Sequence, residues 1–392
     1  MTGLLPASWR NALPTAIAAL GATVIFTPIV WQLTAVAYDY LVHMGITDQL
    51  LQTGKIVTPH FLLQLGTILL LPLTGGIFPA TIALVLLAVM LTAAVLTGYY
   101  RTAGLGPWQT AAAAVATLLV APVALFYLHD RHLYAGYIGI NVFHNPTMFI
   151  LKPLALLAFG QTVHLLTGEA APGRRQKIAL LLLTIATTLA KPSYTIIVLP
   201  ATLLYLALYP ACRRYDRLAT LALTLVLPAA AILAIQYRLT YSQEQVAAVY
   251  QNASGVIIAP LLVMGHHSGL LLPKFLLSAL FPLAVLGTGF RRAINDPALQ
   301  LAWLLFGIGS LYSYLLAESG PRLFQGNFCW SGQIGLFLLF TASTRHMLDY
   351  AANASSPRKA RRLGVCLTIF CLHLAFGIIF YATELLQTQL HW

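Results

Sequence analysis

Charged side chains are scarce in this sequence: Asp, Glu, Lys and Arg together make up 8% of its 392 residues. A soluble globular domain carries about a quarter charged residues. Hydrophobic residues make up 59% of the chain, and its mean hydropathy is +0.80. The shortage of charge therefore excludes an ordinary soluble domain and predicts an integral membrane protein in contact with membrane lipids.

Acidic residues are the rarest charged type, with 10 Asp and Glu against 22 Lys and Arg and a net charge of +12. The positive charge does not indicate a nucleic-acid partner, because the basic residues form short clusters between apolar runs. Such clusters are typical of the cytoplasmic loops of membrane proteins. The 4 cysteines imply no disulfide framework, since only Cys329 falls in a predicted outer loop.

Apolar runs long enough to cross a bilayer as helices, roughly 20 residues each, recur along the chain. With the basic clusters on the cytoplasmic side, these runs thread into eleven helices with a cytoplasmic N-terminus. The predicted spans are 13–36, 77–100, 107–127, 148–167, two short helices within 178–210, 216–237, 271–290, 298–316, 330–345 and 363–384. Residues 60–73 are short for a span, and we expect a re-entrant or interfacial helix there. The predicted fold class is an all-α, polytopic transmembrane protein with a single domain over 1–392.

Four outer loops follow from this topology: 37–60, 128–147, 238–270 and 317–330. Outer loops need polar residues to meet water, and this alone would explain any one of them. Acid, imidazole and cation recur together in three of the loops, and polar groups close to a membrane are costly and usually functional. We therefore expect a functional site on the extracytoplasmic face of a bacterial inner membrane.

Asp39 follows directly on the first predicted span, in the stretch AYDYLVHMGITDQLLQTGKIVTPHF over residues 37–61. A partly desolvated carboxylate at this position suits a general base that takes a proton from a hydroxyl group. His43 lies four residues further on, and it shares a face with Asp39 if the first helix continues outward. The alternative is an interfacial cap in which Tyr38 and Tyr40 belong to the aromatic belt of the membrane.

Basic side chains near the outer face are candidates for binding an anion. Lys152 lies about one turn inside a predicted span, and Lys191 lies at the elbow between two short helices. An ammonium group at such a depth is costly unless it meets an anion or reaches the interface. Arg322 can grip a phosphate through two parallel hydrogen bonds, and a salt bridge with Glu318 is its alternative role.

Two other motifs favour structural interpretations. The HNPT stretch over 144–147 predicts a helix start, with Asn145 or a neighbour as the cap and Pro146 in the first turn. The stretch His129, Asp130, Arg131, His132 permits metal binding by its spacing, but hydrated loop residues are the simpler interpretation.

With these residues in place, the chain resembles the GT-C superfamily of polyprenyl-phosphate-dependent glycosyltransferases. The stretch TPHFLLQ at 58–64 is similar to the HPPLY-type element that precedes helix two in that superfamily. The stretch LLLLTIATTLAKPSYTIIVLPATLLYLAL at 180–208 is similar to a segment of protein O-mannosyltransferases and aminoarabinose transferases. The layout of eleven helices with a cytoplasmic N-terminus also agrees.

The resemblance implies that an acid of the first outer loop acts as the base or binds the acceptor, and that outer-face cations hold the lipid-linked phosphate. Many members of the superfamily carry two adjacent acids in this loop, whereas in this chain Asp39 is followed by Tyr40. We therefore assign no metal ligands, and a divalent cation remains an open possibility as a cofactor. The predicted site residues are Asp39 as the base, His43, Asp48 and Glu318 at the acceptor or behind the base, and Lys191, Arg322 and Lys152 at the donor phosphate.

The predicted function is transfer of a sugar from a polyprenyl-phosphate donor to a glycan, lipid or protein acceptor, with inversion at the sugar carbon. Two alternatives remain open. The short helices within 178–210 also suit a flippase or transporter of a lipid-linked saccharide. An oligosaccharide polymerase or ligase would use similar arginines on a lipid diphosphate.

Overall fold

The computed structural model describes residues 7–131, 133–168, 170–241, 255–353 and 356–387, with side chains described from residue 12 onward. The predicted outer-loop residues His132, Glu244 and Asn252 lie outside these ranges. Within them the chain is helical almost throughout, and its buried apolar side chains form one continuous core.

Helices and strands run in the following order. They are α1 Ala7–Val36, α2 Tyr38–Thr53, α3 Leu62–Thr74, α4 Ile77–Arg101, α5 Pro107–Leu119, α6 Tyr127–Asp130, α7 Pro146–Thr167, α8 Arg174–Ala190, α9 Thr195–Leu208, α10 Tyr215–Leu221, α11 Leu227–Tyr241, β1 Val256–Ile258, α12 Leu262–His267, α13 Leu271–Ser278, α14 Leu280–Thr288, α15 Phe290–Ala293, α16 Pro297–Leu315, β2 Leu316–Glu318, α17 Cys329–Ala352 and α18 Pro357–Gln387. A π turn joins α10 to α11. The expected helical fold is confirmed apart from one short antiparallel pair, formed by β1 and β2.

Among the described residues, 6 helices are long and apolar enough to cross a membrane, and a bent pair of shorter helices makes up to 7. The spans are Ala12–Val36, Ile77–Arg101, Pro146–Thr167, Tyr215–Tyr241, Pro297–Leu315 and Pro357–Leu386, with Leu271–Ser278 and Leu280–Thr288 as the bent pair. The protein is therefore a helical membrane protein. Eleven crossings remain a prediction, since the other predicted spans correspond to helices that do not meet this test.

The helix predicted over 107–127 is shorter than expected, because α5 ends at Leu119. Side chains from distant parts of the chain bond to the carbonyl groups left open there. Asn141 Nδ2 donates to two carbonyl oxygens at the end of α5, at 3.0 and 2.8 Å. His373 Nδ1 donates to the carbonyl of Ala121 at 2.7 Å. Irregular backbone is tolerated at membrane depth where protein groups satisfy it in this way.

A second difference concerns the helix predicted over 271–290, which is bent by 62° between α13 and α14. Pro282 has no N–H to donate to the carbonyl of Ser278, so the helix is weakened at this point. The Phe281 N–H donates instead to His373 Nε2 at 3.3 Å. One histidine thus bonds to the irregular segment after α5 through one nitrogen and to this bend through the other.

The two short helices predicted within 178–210 are confirmed as α8 and α9. Pro192 follows α8 and cannot donate to the carbonyl of Thr188. The Gln236 amide of α11 donates to that carbonyl at 2.9 Å and to the carbonyl of Pro59 at 2.8 Å. The elbow between α8 and α9 is therefore tied to the loop that leads from α2 into α3.

Helices α16 and α17 approach each other closely through glycines. A Cβ at Gly335 would lie 3.0 Å from the backbone of Leu305 and of Phe306, and a Cβ at Gly309 would overlap the carbonyl group of Ser331. Small residues let membrane helices pack backbone to backbone. This contact fixes the start of α17, which carries Trp330 into the site described below.

Polar contacts between loops fall into two sets at opposite ends of the predicted topology. One set joins segments at the predicted outer end: Asp39 with Asn145, Asp130 with Lys274, and Tyr241 with Glu318. The other joins predicted inner loops: Arg292 with Asp349, Asp296 with Arg345, and Thr102 with Arg345. Each of these contacts links segments that the sequence places on the same side of the membrane.

Candidate functional site

Asp39 lies where α1 ends and α2 begins. The first helix does not continue outward, because Ala37 is extended with φ −76° and ψ 131°, and a new helix starts at Tyr38. Asp39 therefore occupies the first turn of α2. Backbone N–H groups without helical partners concentrate partial positive charge in that turn, which is a favourable place for a carboxylate.

The two tyrosines that flank Asp39 differ. Tyr38 is 79% exposed, in keeping with an aromatic belt at the membrane surface. Tyr40 is fully buried and donates its hydroxyl to the carbonyl of Phe143 at 3.3 Å. The belt interpretation is therefore wrong for Tyr40, which holds α2 against the loop that precedes α7.

Asn145 caps α7, as its sequence context predicts: its side chain accepts from the Met148 N–H, and Pro146 occupies the first turn. The same amide joins two candidate site residues. Its Nδ2 donates to Asp39 Oδ2 at 2.7 Å, and its Oδ1 accepts from Lys191 Nζ at 3.4 Å. An acid from α2 and a cation from the α8–α9 elbow thus meet at the start of α7.

Lys191 is almost completely buried, with 7% of its surface exposed. Its Nζ donates to Thr147 Oγ1 at 3.0 Å and lies 4.3 Å from the centroid of the Trp330 ring. No carboxylate of the described residues pairs with it within salt-bridge distance. A buried ammonium that lacks an ionic partner is a natural site for an anionic ligand.

A cavity of about 320 Å³, the Asp39 cavity, lies beside this group. Its walls are Leu33, Val36, Ala37, Tyr38, Asp39, Tyr134 and His144. Val36 is 48% and Tyr38 79% exposed, so one wall consists of apolar and aromatic side chains on the outer surface of the helix bundle. The cavity therefore places a carboxylate next to a surface suited to a lipid chain.

A second cavity of about 260 Å³, the Trp330 cavity, shares Tyr134 and His144 with the first. The His144 ring centroid lies 4.4 Å from that of Tyr134 and 5.7 Å from that of Trp330. Burial lowers the pKa of His144 to about 4, with the nearby Asp39 charge opposing the shift. His144 is therefore a neutral imidazole at neutral pH.

His43 and His60 form the inner side of the site. His43 Nδ1 accepts from the Gln64 amide at 2.9 Å, and its ring lies 6.0 Å from that of His60. Burial, and then the Lys191 charge, lower the pKa of His43 to about 4. The pKa of His60 is held well below its usual range by burial and by the charges of Lys191, His43 and Arg322. Both lysine and arginine charges therefore act on His60.

Glu318 is buried and bound by several donors. Tyr241 donates its hydroxyl to Glu318 Oε1 at 2.6 Å, Arg322 donates to the same oxygen at 3.3 Å, and Asn327 donates to Oε2. The salt bridge considered for Arg322 is therefore present. The Arg322 side chain remains 31% exposed, which leaves part of its guanidinium group accessible to a ligand.

Lys152 and Asp48 do not belong to the group of side chains around Asp39. Lys152 is buried, donates to Asn141 Oδ1 at 2.7 Å, and faces the rings of Phe149 and Phe337. It thereby supports the side chain that holds the end of α5. Asp48 is exposed and accepts from Gln52 at 2.7 Å, and it lines neither of the two cavities.

Asp130, one of the residues weighed as a metal ligand, forms an ion pair with the buried Lys274 at 2.5 Å. Ser268 donates to the same carboxylate at 2.8 Å. This group joins the two predicted outer loops that hold Asp130 and Ser268. Among the described residues, no group of three or more His, Cys, Asp or Glu side chains could hold a metal ion.

Sequence reasoning missed the residues that connect the site. The sequence predicts only a capping role for Asn145 and no role for His144, Tyr134 or Trp330. Asn145 and Asp39 are 106 residues apart in the chain, so no local pattern shows their contact. The available signal was the density of polar and aromatic residues in the two outer loops that hold them.

No family model, curated protein or solved structure matches this chain in searches of each. A functional assignment therefore depends on the residues themselves. They provide a carboxylate with one oxygen that has no described partner, a buried cation without an ionic partner, and a cavity with apolar and aromatic walls at the surface of the bundle. This combination is suited to chemistry on an anionic, lipid-linked substrate.

Proposed function

We propose that this protein is a membrane glycosyltransferase of the GT-C type that transfers a sugar from a polyprenyl-phosphate donor to an acceptor hydroxyl. The reaction would occur at the extracytoplasmic face of a bacterial inner membrane. The observation that carries the proposal is the amide of Asn145, which bonds to Asp39 and Lys191 at once, beside a cavity with apolar and aromatic walls.

The donor phosphate fits the surroundings of Lys191. Its ammonium is buried, bonds to neutral oxygens of Thr147 and Asn145, and packs on the Trp330 ring. A phosphate oxygen would give this cation the ionic partner that it otherwise lacks. The apolar side chains at Leu33 and Val36 supply the surface for the first isoprene units.

Asp39 acts as the general base of the transfer. The acceptor oxygen forms a bond to the anomeric carbon while the bond from that carbon to the phosphate oxygen breaks. The electron pair of the broken bond leaves with polyprenyl phosphate, and the hydroxyl proton passes to Asp39. Lys191 stabilises the negative charge that builds on the leaving phosphate.

Arg322 serves as a second cation for the donor. Its charge acts on His60 together with that of Lys191, which supports a common electrostatic environment for the two. Glu318 positions Arg322 and neutralises part of its charge. Lys191 is therefore the stronger of the two candidates for the phosphate.

A direct test uses purified protein in lipid nanodiscs, supplied with a panel of polyprenyl-phosphate sugars and glycan, lipid and peptide acceptors. The expected result is release of polyprenyl phosphate with formation of a glycosylated product. Movement of an intact lipid-linked saccharide across proteoliposomes, with no product from any donor, would favour a transporter. Turnover of lipid diphosphate donors alone would favour a polymerase or ligase.

A further inference from the structure

The walls of the Trp330 cavity are formed by apolar, aromatic and amide side chains, with one cysteine and two histidines. Its lining is Tyr134, Ala135, His144, Val263, Met264, His267, Phe324, Gln325, Gly326, Cys329, Trp330 and Gln333. Neither an acid nor a Lys or Arg side chain is present in this set. The lining therefore suits an uncharged ligand, in contrast to the Asp39 cavity on the other side of Tyr134 and His144.

Two polar atoms in these walls have unused hydrogen-bonding capacity. Gln333 is 4% exposed, and its Oε1 has no hydrogen-bond partner among the described residues. The same holds for His144 Nδ1. A buried polar atom without a partner is destabilising, so a ligand hydroxyl group that reached either atom would be stabilised by the hydrogen bond.

Aromatic rings provide the rest of the surface. Trp330 and Tyr134 flank His144 on two sides. Phe324, which also lines the cavity, stacks on His266 with 3.9 Å between ring centroids, and this contact orients its ring. Aromatic faces with a few well-placed amides and imidazoles form a site for a ligand that has both C–H faces and hydroxyl groups.

We propose that the Trp330 cavity binds a neutral sugar ring and is the acceptor subsite, so that the acceptor is a glycan and neither a lipid nor a protein. This inference rests on the proposed transferase function. Pockets for drug-sized ligands measure roughly 300–1,000 Å³, so a cavity of about 260 Å³ holds a single ring. Tyr134 and His144 line both cavities, so a ring held in the Trp330 cavity adjoins the cavity of the proposed base Asp39.

Binding of methyl glycosides tests the subsite apart from catalysis. Saturation-transfer NMR on the nanodisc-embedded protein is recorded with the methyl glycosides of glucose, mannose, galactose and N-acetylglucosamine, and at least one should bind. Gln333→Leu should weaken that binding about tenfold or more, because it removes the buried acceptor. Gln49→Leu, on the exposed surface of α2, is the matched control and should bind as wild type does.

Asp39→Asn separates this inference from the proposed function. It should lower sugar transfer by about 100-fold or more and leave methyl glycoside binding intact, since Asp39 lines only the other cavity. Should Gln333→Leu fail to fold, Gln325→Leu in the outer loop takes its place. The inference is overturned if no glycoside binds, or if the folded cavity variant binds as wild type does, even where sugar transfer is confirmed.

Discussion

Asp39 has its two carboxylate oxygens in different situations. Oδ2 accepts a hydrogen bond from Asn145, while Oδ1 has no partner among the described residues. One oxygen therefore orients the side chain and the other is available to a ligand. In the proposed transfer, a base with this arrangement is positioned before the substrate arrives.

Asp39→Asn keeps the size of the side chain and still accepts from Asn145, but it cannot take a proton. We expect turnover to fall by about 100-fold or more, with folding preserved. Steady-state transfer in nanodiscs measures the change. Asp48→Asn makes the same substitution on the exposed surface of the same helix, and near wild-type turnover is expected. If turnover fell in Asp48→Asn and stayed near wild type in Asp39→Asn, the base would be Asp48.

Two buried lysines allow charge stabilisation to be separated from structural support. Lys191→Met should slow single-turnover release of polyprenyl phosphate by a factor on the order of 100 or more, because one charge-stabilising donor is lost. Lys152→Met removes the partner of Asn141 and should lower the melting temperature while the folded fraction keeps its rate. Equal rate losses in the two folded variants would contradict the assignment of the phosphate to Lys191.

His43 makes stability depend on pH. Its pKa is lowered to about 4 in the folded protein, against about 6.5 in the unfolded chain. Between these values the unfolded state binds the proton more tightly, so His43 contributes stability above pH 6.5 that is lost as the pH falls towards 4. His43→Asn keeps an acceptor for Gln64 and should show a smaller drop in melting temperature from pH 7 to pH 5. The exposed His129→Asn should melt as wild type does at both values, and an unchanged drop in His43→Asn would refute this account.

At the scale of elements, the sequence locates most helices to within a few residues. The start of α7 and the elbow after α8 were predictable because proline and a capping amide act locally. The early end of α5 and the bend before α14 were not, because both depend on His373, more than 90 residues away. Local patterns show where a helix can break, and distant hydrogen bonds determine where it does.

The same distinction applies to the site. Asp39, Lys191 and Arg322 could be named from residue type and predicted membrane depth, since charges are few and costly there. Their connection through Asn145 and the cavity walls could not, because these contacts join loops far apart in the chain. Lys152 has the same residue type and a similar predicted depth, yet it bonds to Asn141. Depth alone therefore does not identify a ligand-binding lysine.

The α16–α17 contact offers a test in which two glycines of one helix behave differently. A Cβ at Gly309 would overlap the backbone of Ser331, whereas a Cβ at Gly307 would meet open space. Gly309→Ala should therefore destabilise the protein by about 1–3 kcal/mol. Gly307→Ala should be neutral or stabilising by up to about 1 kcal/mol, because alanine is the better helix former. Thermal unfolding of both variants in one detergent gives the comparison, and equal melting temperatures would contradict the close packing.

At the scale of the whole molecule, the site belongs to one of two polar ends. Asp39, Lys191 and Glu318 lie at the end that the basic-cluster pattern places outside. The opposite end carries Arg292 and Arg345 in ion pairs with nearby acids. An acceptor in the extracytoplasmic space can reach the site only if this assignment of the two ends is right.

Labelling of single cysteines decides the orientation. In a variant without the four native cysteines, Lys55→Cys and Arg131→Cys should react with a membrane-impermeant maleimide in right-side-out vesicles, because both side chains are exposed at the proposed outer end. Arg175→Cys and Arg358→Cys, exposed at the other end, should react only after the membrane is permeabilised. Labelling of position 175 from outside would show that the protein has the opposite orientation in the membrane. The geometry around Asp39 and Lys191 would then stand, but the acceptor would have to be cytoplasmic.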